Sequence, residues 1–343
     1  MLFNISVDSY SKNFSKNIMQ RDLRIDSIKG LLILLVVFGH CHTALQEHSN
    51  YMFIYNIIYL FHMPLFIFIS GYFTNLQKET KTQIRSIFNI FLVYVIFQFI
   101  KFFIEPGDSH SLNILRLVLT PKWTMWYLLC LVCLRVLFLF CVKMCKLDVN
   151  KKLIALVLII SLCMAYLPIG NQRVFTFAFP FSLGLYCKKY DCLKQIYHLN
   201  KYNVLICAIL SLSVIVWVNN NNMGWLLYGS KFYAKWPVSL WLCPAVRLFH
   251  IIGYCAISIL FIKFCPTMNM LNLLGKNTLF IYMYHSIVLV YLKMFDSYFN
   301  NNVFTLFLFI STICILYLLF KIPFLHYLIN PLDSIQNVIS KKK

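Results

Sequence analysis

The sequence predicts an all-α, polytopic integral membrane protein of about ten transmembrane helices, with both termini in the cytoplasm. Three observations lead there. Of the 343 residues, 60% are hydrophobic and only 12% charged, where a soluble domain carries about 25% charged residues. The apolar residues gather in long uninterrupted stretches near the ~20 residues that the hydrocarbon core demands of a helix. Basic residues then crowd every second joint between those stretches.

Ten spans follow along the chain: 28–46, 53–73, 86–104, 125–142, 153–169, 173–188, 202–219, 239–262, 277–295 and 302–320. The fifth and sixth are the shortest, with Pro168-Ile169-Gly170-Asn171 between them. Lys12, Lys16, Arg21, Arg24 and Lys29 precede or open the first span. Further basic residues follow the second (Lys78, Lys81, Arg85), fourth, sixth, eighth and tenth, giving 22 on one side against seven on the other (Lys101, Arg116, Lys122, Arg173, Lys231, Lys235, Lys293). The positive-inside rule puts the richer side in the cytoplasm of a cell-membrane protein. Residues 1–27 read as a polar cytoplasmic head without a signal peptide, 28–320 as one membrane unit and 321–343 as a cytoplasmic tail. No internal repeat, coiled coil or soluble catalytic domain is visible.

The formal charge of +20 is spread over six such segments and forms no basic stripe, which argues against nucleic acid and for anionic lipid headgroups as the partner. The thirteen cysteines fall mostly in or beside spans, where they act as small hydrophobes, and Cys130-Leu131-Val132-Cys133 is a CxxC in letters only. The tryptophans of the outward segments, Trp225, Trp236 and Trp241, fit an interfacial belt or a platform for sugar rings.

Ionisable residues inside spans carry the functional signal, because such groups are costly in hydrocarbon and turn toward the bundle interior. His40, His62, Arg135, Arg247 and His285 fall there. Lys29 and His40 are eleven residues apart, three turns plus about 20°, so they share one helix face at roughly 16 Å. One lies at the membrane surface and the other deep within. His40 has the pKa range of a general base near neutrality, and a structural histidine is the alternative. Pro64 removes a helical hydrogen bond in mid-span, and His62 beside it either faces the resulting cavity or merely stabilises a packing kink. Gly71 permits close backbone approach near the cytoplasmic end. Thr278 and His285 share a face of the ninth span. Arg135 and Arg247 need anionic or carbonyl partners, which few acidic residues can supply. His40, His42, Glu47 and His48 match no zinc spacing, and no metal is expected.

Asp26-Ser27-Ile28-Lys29-Gly30 followed by His40 resembles the opening signature of the membrane acyltransferase 3 family: a basic residue, ten positions, then histidine, with Arg24 and Asp26 as lead-in. Phe61-His62-Met63-Pro64-Leu65-Phe66 through Ser70-Gly71-Tyr72, Trp126-Tyr127-Leu128, and Leu274-Gly275-Lys276 through Tyr284-His285 agree in order. The flavour is nearest the fucose 4-O-acetylase-like branch. The resemblance implies transfer of an acyl group, usually acetyl, from cytoplasmic acetyl-CoA to a hydroxyl of an envelope glycan or lipid-linked sugar, with no tightly bound cofactor. His40 would be the essential histidine and Lys29 its basic partner, supported by Asp26. Arg85 resembles a family arginine cluster that is thinner here, leaving Arg24, Lys78 and Lys81 to assist Lys29 with CoA phosphates.

The chemistry needs a base for a weakly nucleophilic hydroxyl and a donor for the developing oxyanion. His62, Arg135 and His285 are the candidate donors. His40 is either a base in direct transfer or an acyl carrier. A secondary transporter or flippase for an envelope glycan is the alternative from another class, against which stand the missing two-fold repeat and the aligned Lys29 and His40. A sensor or structural protein leaves the polar set unused.

Overall fold

The computed structural model describes residues 22–43, 52–104, 118–168, 171–292, 302–334 and 336. The architecture is all-α. Along the chain follow the α-helices α1 (Leu23–Thr43), α2 (Met52–Phe73), α3 (Thr80–Ile104), α4 (Trp126–Lys143), α5 (Lys151–Cys163), α6 (Gln172–Lys189), α7 (Cys192–Tyr197), α8 (Lys201–Asn220), α9 (Cys243–Phe264), α10 (Asn269–Lys276), α11 (Thr278–Leu292), α12 (Asn302–Phe320) and α13 (Pro323–Ile329). Each of the ten expected apolar segments contains a helix among the described residues, although 167–168, 239–242 and Asn277 at segment ends are not helical.

Five of the segments, Met52–Phe73, Thr80–Ile104, Trp123–Lys143, Lys201–Asn220 and Cys243–Phe264, are each long and apolar enough to cross a membrane. The number rises to seven if two bent pairs count as one span each: α10 with α11 at 77°, and Thr305–Phe320 with α13 at 97°. This is a multi-pass membrane protein, and among the described residues three of the ten expected segments, 28–46, 153–169 and 173–188, are not among these seven. Arg24, Asp26 and Lys29 charge the start of α1, α5 has only 13 residues, and α6 carries Arg173, Lys188 and Lys189.

Local chemistry explains several helix ends. The Asp22 carboxylate accepts from the backbone N–H groups of Arg24 (2.9 Å) and Ile25 (3.3 Å), and Asn150 and Asn200 cap α5 and α8 in the same way. α2 runs unbroken through Pro64, so the expected mid-span break is a missing hydrogen bond and no more.

The core is formed by α1, α2, α4, α6 and α11. Leu32, Ile33, Val36 and Val37 of α1 are fully buried, as are Ile67 of α2, Leu134 of α4 and Met283 of α11. Two contacts place backbone against backbone. A Cβ on Gly71 would lie 2.1 Å from the Phe181 carbonyl oxygen of α6, and one on Gly275 would lie 1.8 Å from the Asp26 carbonyl oxygen of α1. Only glycine fits such crossings.

One end of the bundle collects the basic helix termini. Arg24 donates to the Lys263 carbonyl (2.8 Å) and lies over the Tyr197 ring, and Lys263 donates to the carbonyls of Tyr197 and Leu199. Lys188 sits over Tyr72, and Lys189 pairs with Asp148 at 2.5 Å. Cations at helix C-termini meet orphan carbonyls and the negative end of the dipole. Lys29 belongs to the same end and His40 to the interior beyond it, as their spacing requires.

Candidate active site

The interior site grows from two histidines 245 residues apart in sequence. His40, from the last turn of α1, stacks on His285, from the middle of α11, with ring planes 8° apart. His40 Nδ1 and His285 Nε2 are 2.8 Å apart. The direction of this bond follows from its neighbour. His285 Nδ1 lies 3.1 Å from the Ile281 carbonyl, an oxygen that can only accept, so Nδ1 carries the proton of neutral His285. His285 Nε2 is then the acceptor, and His40 Nδ1–H donates to it. Neutral His40 therefore holds its basic lone pair on Nε2. A backbone carbonyl thus sets the tautomer of a histidine two links away.

His40 borders a cavity of about 370 Å³, within the range of small-molecule sites. Its walls are aromatic (Tyr59, Trp123, Trp126, Phe177, Tyr228, Tyr282), with His62 and Arg173 among them. His62 is buried on α2 and donates Nδ1–H to the Ile58 carbonyl at 2.7 Å, the position one turn back. Like His40, it turns an unprotonated Nε2 elsewhere. Its ring meets Tyr59 edge-on.

The Trp123–Met125 turn that precedes α4 closes one side. Trp123 has φ of +32°, a strained value for a bulky residue, and its ring centre is 5.2 Å from that of His40. Two groups clamp the turn. Buried Lys101 of α3 donates to Thr124 Oγ1 at 2.8 Å and lies over the Trp123 ring, and the Tyr282 hydroxyl donates to the Thr124 carbonyl. Arg173, in the first turn of α6, rests on Trp126 with 4.4 Å between guanidinium carbon and ring centre and donates Nε–H to the Tyr228 carbonyl at 3.2 Å.

The residues expected from the sequence divide into two places. His40, His62 and His285 come together. Lys29 stays at the basic end, paired with Asp26 at 2.7 Å and over Phe73. Asp26 thus supports Lys29 and lies about 21 Å along the helix from His40. Arg135 also sits apart from the histidines. It borders a second cavity of about 140 Å³ with Phe73, Thr74, Asn75, Lys78, Gln83 and Ser86. Its Nη1 donates to Ser86 at 3.2 Å, while its buried Nε has no partner among the described residues. Lys78 lines that cavity. Arg85 instead pairs with Asp333 (2.9 Å) and Gln336, Arg24 is engaged as described above, and Lys81 lies outside the cavity wall.

Arg247 is buried and donates to Thr176 Oγ1 beside the Tyr233 ring. Burial pushes the Tyr233 hydroxyl up to about 12, so it stays neutral there. Trp225 and Trp236 pack with Tyr233 into a small core of their own, and Trp241 is exposed. The tryptophans at the cavity beside His40 are Trp123 and Trp126 instead. All thirteen cysteines are free thiols. Among the described residues no cluster of three His, Cys, Asp or Glu side chains could hold a metal ion. The side chains of His42, Glu47 and His48, together with Arg21, Arg116 and Lys293, lie outside the described residues.

Lys101, Thr124, Arg173 and Tyr282 were not singled out from the sequence. Lys101 and Arg173 offered a signal, since each falls inside an apolar span, yet both read as flanking topology charges. Tyr282 and Thr124 offered none.

The family described as acyltransferase domain matches residues 22–321. A nodulation protein NolL of Sinorhizobium fredii is 43% identical over 56 residues, 15% of each chain. A nodulation protein NolL of Mesorhizobium japonicum is 41% identical over 69 residues, 18% of each chain. The matched segments thus span less than a fifth of these curated relatives. No solved structure matches the chain.

Proposed function

The chain belongs to this acyltransferase family, and we propose that it moves an acetyl group from cytoplasmic acetyl-CoA to a hydroxyl of an envelope glycan or lipid-linked sugar. The observation that carries the reading is the Ile281–His285–His40 hydrogen-bond chain, which holds a basic nitrogen on His40 beside a cavity of about 370 Å³.

In this reading His40 Nε2 takes the proton of the acceptor hydroxyl as its oxygen attacks the thioester carbonyl. His285 is a positioning residue: it fixes the tautomer and accepts charge density when His40 becomes imidazolium. The aromatic walls suit a sugar, whose C–H faces stack on rings. The cavity of Lys78 and Arg135 at the basic end suits the phosphates of the donor, with the guanidinium as a rigid fork and the ammonium as a mobile point charge. Lys29, already paired with Asp26, supports that end. The preferred topology keeps ten spans with both termini cytoplasmic, so that the donor enters from the basic end.

The test uses purified protein in nanodiscs, radiolabelled acetyl-CoA and an extract of envelope glycans. Label should enter glycan with the wild type and fail to do so with folded His40→Ala. Transfer that survives the substitution removes His40 as base. Absence of both transfer and CoA release in folded wild type, across a broad acceptor mixture, favours a transporter.

A further inference from the structure

We propose that Arg173 is a further catalytic residue, the group that holds the negative charge developing on the acyl carbonyl oxygen; the inference rests on the acyl-transfer reading above. Histidines are the first candidates for such a donor, but their protons are engaged. His62 Nδ1–H points to Ile58, His285 Nδ1–H to Ile281, and His40 Nδ1–H to His285. The Tyr282 hydroxyl donates to the Thr124 carbonyl, and the Tyr228 hydroxyl shares with that of Tyr55 a hydrogen bond in which either can donate. Arg135, the remaining expected donor, borders the other cavity.

Among the described residues lining the His40 cavity, Arg173 alone carries a fixed charge. A buried cation is costly unless paired, and among the described residues its guanidinium meets the Tyr228 carbonyl and the face of Trp126 but no carboxylate. Those two contacts fix the plane of the group and occupy Nε, leaving the Nη groups for a ligand. A rigid charged donor in a cavity with a neutral base is the arrangement that stabilises charge present only in the transition state.

The step balances without another group. The acceptor oxygen bonds to the carbonyl carbon as its proton passes to His40 Nε2, and the carbonyl π electrons move onto the oxygen facing Arg173. The C–O double bond then reforms, the C–S bond breaks, and the leaving thiolate takes the proton from His40. The products are ester and free thiol.

The experiment compares wild type, Arg173→Gln and Arg173→Lys in nanodiscs, with thermal melting as the folding control. Arg173→Gln should lower kcat by about 10²–10³ with KM for donor and acceptor nearly unchanged. Arg173→Lys should recover at least ~10-fold of that loss, since it keeps a charge in the same place. Guanidinium ion added to Arg173→Ala should restore turnover in proportion to its concentration, which a merely structural arginine would not show. Near-normal kcat in Arg173→Gln overturns the proposal, as does a loss confined to the acceptor KM, which would instead make Arg173 the holder of an anionic acceptor group. If Arg173→Gln and Arg173→Ala do not fold, folded Arg173→Lys decides: kcat within ~100-fold of wild type supports the assignment and a greater loss overturns it. A dead His40→Gln beside an active Arg173→Gln removes only this inference. A wild type that transfers nothing removes the acyl-transfer reading, and this inference falls with it.

Discussion

The two cavities share two helices, α2 and α4, and little else. α2 supplies His62 and Met63 to one and its last residue, Phe73, to the other, and α4 supplies Trp126 to the first and Arg135 to the second. In the histidine cavity the hydrogen-bonding groups are fixed. Carbonyls one turn back on the same helix hold His62 and His285, and aromatic rings fill the remaining wall. The cavity at the basic end is instead lined by polar side chains, Lys78, Gln83, Thr82 and Asn75 beside Arg135, of which Lys78 is the long flexible one. Rigid groups suit bond-making, where a small misplacement is expensive, and adaptable ones suit phosphate binding. Between the cavities the Ser70 and Tyr127 hydroxyls meet at 2.9 Å, with Phe66 against the Tyr127 ring. That layer separates the places proposed for donor phosphates and for chemistry.

The sharpest way to break this contrast is at His40. His40→Ala should lower kcat by about 10²–10⁴, the usual worth of a general base, while donor binding measured by equilibrium titration stays at the wild-type level. A loss of donor binding of the same size would merge the two cavities into one functional unit. His285 comes next. His285→Ala removes the acceptor of the His40 proton and is expected to cost about 10–100-fold in kcat, equivalent to one hydrogen bond to a charged group. His285→Gln, whose amide oxygen can accept the same proton, should recover most of it; equal losses would show that the tautomer does not matter.

At the other end, Arg135→Gln should raise the donor KM about tenfold, near 1.4 kcal/mol, and leave kcat nearly unchanged. The effect should shrink with dephosphorylated donor analogues. A fall in kcat without a change in KM would return Arg135 to the chemistry. The smallest effect is expected at the partition. Tyr127→Phe removes one hydrogen bond between neutral hydroxyls, worth about 0.5–1.5 kcal/mol, so the melting temperature should drop slightly while donor hydrolysis by water rises. Unchanged hydrolysis would mean that Tyr127 is packing and not a barrier.

Much of the fold was legible because membrane helices announce themselves locally. The apolar stretches, the joints and the alternation of charge depend on neighbouring residues, and each of the ten segments contains a helix among the described residues. The bent pairs were less visible. The 77° turn between α10 and α11 falls at Asn277, where the ninth stretch is expected to begin, and the helix α10 lies in what reads from the sequence as a joint. Within the site, the exceptional residues, histidines inside spans, could be recognised one by one. From the sequence, His62 either faces a cavity or stabilises a packing kink, and it lines the cavity. Gly71 is expected to permit close backbone approach, and it lies against the Phe181 carbonyl.

By itself the sequence determined the medium, the helical class, the depth of His40 relative to Lys29 and the identity of the unusual groups. These follow from periodicity and from the cost of charge in hydrocarbon, both of which act over a few residues. Only the tertiary structure decided that His40 meets His285, that Arg135 leaves the histidines for the basic end, and that Arg173 enters their cavity. Such choices depend on how each helix is rotated and which helix lies beside it. Packing across 245 residues of sequence sets both, and no local pattern encodes them.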